Sequence, residues 1–214
     1  MFTESFAVSH PSQPNYLALY SGSTHGVKND ACPLKLTGTN LGSQLISAGL
    51  SFTGYSEGLP SAGFSGCTAA AGYARKHAPW ANFSSLPPST HQPFSLFARA
   101  DFHTLPTVAF VVPTLSHDMH DGSVTQGDAW LKAALDSYVQ WSRANNGLLI
   151  LTWDEDDDHH KNQILTVFVG PMVKPGVVNR HITHYDVLRT LEAMYKLPYA
   201  GKAASASTIT EPWQ

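Results

Sequence analysis

The sequence predicts an α/β fold: a parallel sheet covered on both faces by helices. Three observations carry this. Short apolar runs free of charge recur along the chain, "TVAFVV", "LLILTW" and "LTVFV", as buried parallel strands do. Segments with apolar residues spaced at helical intervals lie between them. At 214 residues with 43% hydrophobic content, the chain suits one domain with a sizeable core.

Taken in order, the first element is a short helix in "HPSQPNYLALYSG", with Pro14 at its first position and Leu17, Ala18 and Tyr20 continuing it. A second helix spans Asn40 to Ala48, followed by a weaker strand from Leu50 to Tyr55. The stretch from about 56 to 106 has no convincing periodicity and is rich in Pro, Ser, Gly and aromatics. It reads as an irregular insertion that covers substrate, within one domain of residues 1–214. Thr107 to Val112 is a strand. A helix follows from Asp128 to Asn145, carrying Leu131, Ala134, Leu135, Tyr138 and Val139 on one face and stopping at Gly147. Leu148 to Trp153 and Leu165 to Val169 are two further strands. The last helix runs from His184 to Lys196, with Thr183 as N-cap, Asp186 three residues on, and Val187, Leu188, Leu191, Met194 and Tyr195 facing inward.

Composition excludes several functions. A net charge of -3 provides no basic field for nucleic acid or for an anionic membrane. No run reaches the ~18 apolar residues of an integral membrane segment, and "MFTESFAVSH" lacks the pattern of a signal peptide. Cys32 and Cys67 are too few for a metal knuckle; composition leaves them as buried thiols or as one disulfide. Several of the eleven histidines lie beside carboxylates in loop-like segments.

In open parallel sheets, ligands bind outside the carboxyl ends of the strands, so the segments after each strand are where chemistry is expected. "TLSHDMHDGS" holds His117, Asp118 and His120, and "DEDDDHH" holds Asp154 and Glu155. Two carboxylates ending an uncharged buried strand repel each other, and a divalent cation (Zn, Mn, Mg or Ca) resolves that conflict. The run from Asp156 to His160 reads as a solvated polar loop. Ser12 sits at a helix mouth, where backbone N–H groups favour an anion, and a metal activates its hydroxyl as a nucleophile. His117, His120 or His184 would hold a phosphate or protonate the leaving oxygen. The set specifies phosphoryl transfer; no G-x-S-x-G elbow, Walker loop or G-x-G-x-x-G follows a strand.

The segments "HPSQPNYLALYSGSTHG", "YARKHAPWANF", "LPTVAFVVP", "HDMHDGSVTQGDAWL", "LLILTWDEDD" and "THYDVLRTLEAMYKLP" together resemble the bacterial acid phosphatase and phospholipase C-type phosphoesterases, a branch of the alkaline phosphatase superfamily. The resemblance implies an alkaline-phosphatase-like α/β/α sandwich with a mostly parallel central sheet. It also implies metal-dependent hydrolysis of a small phosphate ester or a phospholipid head group through a phosphoserine. It makes Ser12 the nucleophile, puts Asn15 on the phosphate, and makes Ser12, Asp154 and Glu155 metal ligands. Asp118, His120 and His184 fall on the phosphate side or at a second metal, and His77 lies in a motif that reaches substrate. Members are often exported, which would pair Cys32 with Cys67. Members also begin with a further strand ending in Glu-Asn that the sequence as given does not show, so a truncated relative that binds metal or phosphate without turnover is the competing expectation.

Overall fold

A computed structural model describes residues 1–214. The elements in chain order are β1 (Phe2–Phe6), α1 (Ser12–Ser21), α2 (Leu41–Ser47), β2 (Phe52–Ser56), β3 (His91–Pro93), α3 (Phe94–Phe97), β4 (Val108–Val112), α4 (Val124–Ala144), β5 (Leu149–Thr152), β6 (Thr166–Val169), β7 (Val178–Thr183) and α5 (His184–Met194). The α/β class stands, but in place of one mostly parallel sheet the strands form two sheets, ordered β5-β6-β1-β7 and β3-β2-β4, the first of them mostly antiparallel. The second sheet is parallel throughout. In the first, β1 runs parallel to β7 and antiparallel to β6, and β5 is antiparallel to β6. No helix is long and apolar enough to cross a membrane.

The chain forms two compact units. The first comprises Met1–Asp30, Thr39–Leu41 and Tyr138–Gln214. Its core gathers Phe2, Phe168, Ile182, Val187 and Ile209, with Phe2 edge-on to Phe168 at 5.0 Å and Trp213 stacked on the same ring at 5.5 Å. Burial of each such side chain is worth about 1.5–3 kcal/mol. β1 is an interior strand despite its polar sequence. Ser5 Oγ and Thr152 Oγ1 each lie 2.8 Å from Thr166 Oγ1, so hydroxyls bridging β1, β6 and β5 satisfy one another away from water.

Helix α1 begins at Ser12, two residues before the expected start at Pro14. It ends at Gly22, whose φ of 68° and close approach to the Ala200 carbonyl exclude a side chain: a Cβ there would stand 2.0 Å from that oxygen. α5 begins with a capping box between Thr183 and Asp186, as the sequence indicates, and Val187 and Leu188 are buried. Met194, expected to face inward, is 39% exposed because the helix ends at that residue.

The second unit comprises Ala31–Gly38 and Gly42–Ser137. Its core centres on Trp80, which packs edge-on against Phe52 and Phe110; Gly54 of β2 leaves the room, since a Cβ there would lie 2.0 Å from the indole. Cys32 and Cys67 form a disulfide across 35 residues of sequence, a closure worth about 3–4 kcal/mol in the chain-entropy model. The stretch from 56 to 106 contains the short strand β3, the single turn of helix α3 and several 3-10 turns.

Helix α4 starts four residues before the expected Asp128. The Gln126 side-chain oxygen accepts from the Ser123 N–H while Ser123 Oγ accepts from the Gln126 N–H, a reciprocal cap. At its other end Asn146, with φ 55°, takes the left-handed position that the sequence suggested for Gly147.

Candidate active site

Ser12 opens α1, and its Oγ donates to Glu155 Oε1 at 2.7 Å. The loop that delivers it is built by Asn15, which is wholly buried. The Asn15 carbonyl oxygen accepts from Val8 N and Ser9 N at 3.0 Å each, and its amide donates to Ser9 O and Pro11 O. The Asn15 amide, which the resemblance puts on the phosphate, is thus engaged within the loop that carries Ser12. The helix mouth is also a narrower anion cradle than its position suggests. Pro14 has no N–H and the Gln13 N–H donates to Asp30 Oδ1 at 3.0 Å, leaving the Ser12 N–H.

Asp154 and Glu155 follow β5 directly. Asp154 Oδ2 is buried without a hydrogen-bond partner. Burial pushes the Glu155 carboxyl up and repulsion from Asp154 adds to this, against hydrogen bonds from Ser12 and His10. A buried orphan oxygen beside a carboxylate held above its usual range is an excess of negative charge that the protein's own donors do not satisfy. Ser12, Asp154 and Glu155 therefore fit a divalent cation as a donor set of hard oxygens.

His10, which flanks Ser12 in the sequence and has no role assigned there, joins this group. Its Nδ1 lies 2.7 Å from Glu155 Oε2 and 3.2 Å from Asp158 Oδ1, and its Nε2 lies 3.0 Å from Asp156 Oδ1. Its place two residues before Ser12 was the available signal. His10, Asp156 and Asp158, or Asp156, Asp157 and His160, bring ligand-type atoms within 4.8 Å of one another. The polar loop is ordered by its own carboxylates: Asp156 accepts from the N–H groups of Asp158, His160 and Asn162. His184, first residue of α5, is 1% exposed and donates from Nε2 to the Asp154 backbone carbonyl at 2.7 Å. Burial lowers its proton affinity, so it fixes the Asp154 backbone as a neutral ring.

The other histidines of interest belong to the second unit. His77 Nδ1 pairs with Asp118 Oδ2 at 2.9 Å, and Asp118 Oδ1 accepts from the His120 N–H. Lys76 Nζ donates to His120 Nε2 at 3.0 Å, leaving Nδ1–H to donate to Asp121. His117 lies apart from these, with Nδ1 2.8 Å from Glu57 Oε2 and its ring stacked on Trp130. Glu57, not singled out from the sequence, accepts in addition from Thr114 N and Trp130 Nε1. Thus Ser12, Asn15, Asp154, Glu155 and His184 come together in the first unit; His77, Asp118 and His120 come together in the second.

The α/β scaffold thus sets Ser12 against a carboxylate pair that follows a strand end. The chain belongs to the Phosphoesterase family, whose model matches residues 1–198. It is 50% identical over 215 residues to the phosphatidylinositol-3-phosphatase of Mycobacterium tuberculosis, covering 100% of this chain and 72% of that protein. It is 28% identical to the phosphate-repressible acid phosphatase of Penicillium chrysogenum and 29% identical to an acid phosphatase of Aspergillus fumigatus. These matches cover 94% and 99% of this chain and 53% and 52% of the fungal proteins, so the chain spans about half of their length.

Proposed function

We propose that the chain hydrolyses phosphomonoesters by a metal-dependent reaction in which Ser12 is the nucleophile. The observation that carries this reading is the 2.7 Å hydrogen bond from Ser12 Oγ to Glu155, beside the buried unpartnered oxygen of Asp154. Ser12, Asp154 and Glu155 would hold a divalent cation, which would supply positive charge favouring deprotonation of the serine and the charge developing on the phosphate oxygens.

The residues of the chain do the rest. Ser12 Oγ attacks phosphorus in line with the ester oxygen, the P–O bond to the alcohol breaks, and the alcohol leaves with a proton from solvent. Glu155 Oε1 accepts the serine proton, and His10, bonded to the other oxygen of the same carboxylate, is placed to pass it on. Water then displaces Ser12 from the phosphoserine and releases inorganic phosphate. Asn15 and His184 hold Ser12 and Asp154 in position through backbone contacts. The likeness to a mycobacterial phosphatidylinositol-3-phosphatase directs attention to a phosphate monoester on an inositol lipid head group as the substrate class.

The test is hydrolysis of p-nitrophenyl phosphate and of bis(p-nitrophenyl) phosphate, before and after chelation and readdition of Mg, Mn, Zn or Ca. The expected result is monoester hydrolysis that chelation abolishes, that one of these ions restores, and that Ser12→Ala lacks. Preference for the diester would transfer the chain to the phospholipase C-like class. Phosphate binding with no turnover under any metal would make it a non-catalytic relative.

A further inference from the structure

The second unit contains a feature that the Ser12 chemistry does not use. At the carboxyl ends of the parallel strands β2 and β3, where α/β sheets commonly bind ligands, lies a cavity of about 400 Å³. Glu57 and Leu59, just after β2, and Pro93 and Phe94, at the end of β3, line it together with Ala98 and Arg99. Phe94 and Ala98 also line a second hollow of about 210 Å³, whose other walls include Phe97, Phe102 and Trp130. Arg99 lines the first hollow only, and Phe97, Phe102 and Trp130 line the second only.

Charge selects the ligand. The Glu57 carboxylate is already committed to three donors, Thr114 N, His117 Nδ1 and Trp130 Nε1. Arg99 is exposed and pairs with no carboxylate. Its guanidinium is the available charge of the cavity, and it presents a fork of donors suited to a carboxylate. Beyond it the walls are mainly ring faces and methyl groups, with Ser137 the one hydroxyl among them, and they take an aliphatic chain.

We propose that this cavity is a second ligand site, binding a single-chain carboxylic acid with its head on Arg99 and its tail along Phe94 toward Phe97, Phe102 and Trp130. The site is independent of the reaction at Ser12. Calorimetric titration of the full chain with octanoate, below its micellar concentration, and with 1-octanol tests it. Octanoate is expected to bind saturably with one site per chain. Arg99→Gln should weaken octanoate by about tenfold, as loss of a charged hydrogen bond does, and leave octanol within about twofold. Ala98→Trp, at an exposed position that lines both hollows, should abolish binding of both while preserving the thermal unfolding curve. Absence of saturable octanoate binding, or equal weakening of acid and alcohol by Arg99→Gln, would overturn the proposal. So would binding that survives in Ala98→Trp. Binding to phosphatidylglycerol vesicles without binding to monomeric octanoate would replace it with a membrane-facing surface.

Discussion

Glu155 and Glu57 each lie within hydrogen-bond distance of a histidine Nδ1, at 2.7 and 2.8 Å, yet their carboxyls shift in opposite directions. Burial pushes both up. Around Glu57 the donors His117, Thr114 and Trp130 outweigh burial, and its carboxyl falls below the usual range. Around Glu155, the neighbouring Asp154 adds repulsion that Ser12 and His10 do not offset, and its carboxyl rises. One glutamate is fully satisfied by the protein's own donors and the other is not. The difference distinguishes two carboxylates whose residue type and histidine contact are the same.

The comparison breaks first at Ser12. Ser12→Ala is expected to lower p-nitrophenyl phosphate turnover by more than about 10³-fold while leaving the unfolding temperature of the metal-loaded protein within a few degrees. Residual activity within tenfold of the parent would remove Ser12 from the nucleophile role.

Next in size is the response of the two glutamates to metal. Glu155→Gln should reduce activity by about 10²-fold and abolish sensitivity of stability to chelation. In the parent chain, removing a cation supplied at 100 times its Kd should cost about 2.7 kcal/mol, or about 5–10 °C in Tm. The same melting curve with and without chelator, together with full activity, would exclude a cation at this pair.

Acid should act through a different group. Burial and the Arg75 charge push the His91 imidazole down from 6.5 to about 4. The unfolded chain therefore binds a proton that the folded chain refuses between these values. Stability from this group is complete above about pH 6.5 and declines as pH falls toward 4, by on the order of 3 kcal/mol. Urea unfolding across that window measures the slope, which His91→Phe should flatten; an unchanged slope in the variant would assign the acid response elsewhere.

The smallest effect sharpens the comparison from the other side. Glu57→Gln puts an amide N–H toward donors that the carboxylate satisfied, at a cost of about 1–2 kcal/mol in unfolding free energy. Sensitivity to chelation should be unaltered, in contrast to Glu155→Gln; a variant at Glu57 that loses its metal response would erase the distinction between the two glutamates.

What the sequence made legible follows from where its periodicity was strong. β4, β5 and β6 are apolar runs and α5 carries its own capping box, so their places were readable within a residue or two. β1 was hidden because Thr3, Glu4 and Ser5 break any apolar run, and its interior position rests on hydroxyl pairs contributed by distant strands. β7 mixes Asn179, Arg180 and His181 with Val178 and Ile182, as suits a strand at the edge of its sheet. At the site, Asp154 and Glu155 were visible as charges ending a buried strand, and Ser12 as a serine at a helix start. The roles of His10 and Glu57 were not, because they come from partners 145 and 60 residues away in sequence. Asn15 was visible as a residue but not in its task, since nothing in S-Q-P-N shows that all of its hydrogen bonds turn back to the preceding loop.

The central claim is that the strand-end carboxylates create, through bound metal, a nucleophile at Ser12. The most direct measurement is an acid quench of the metal-loaded chain during turnover of p-nitrophenyl phosphate, followed by peptide mass spectrometry. The expected result is phosphate on the peptide containing Ser12, absent after chelation and in Ser12→Ala and strongly reduced in Glu155→Gln. Phosphate trapped on another serine or on a threonine, or undiminished labelling of Ser12 after Glu155→Gln, would contradict it.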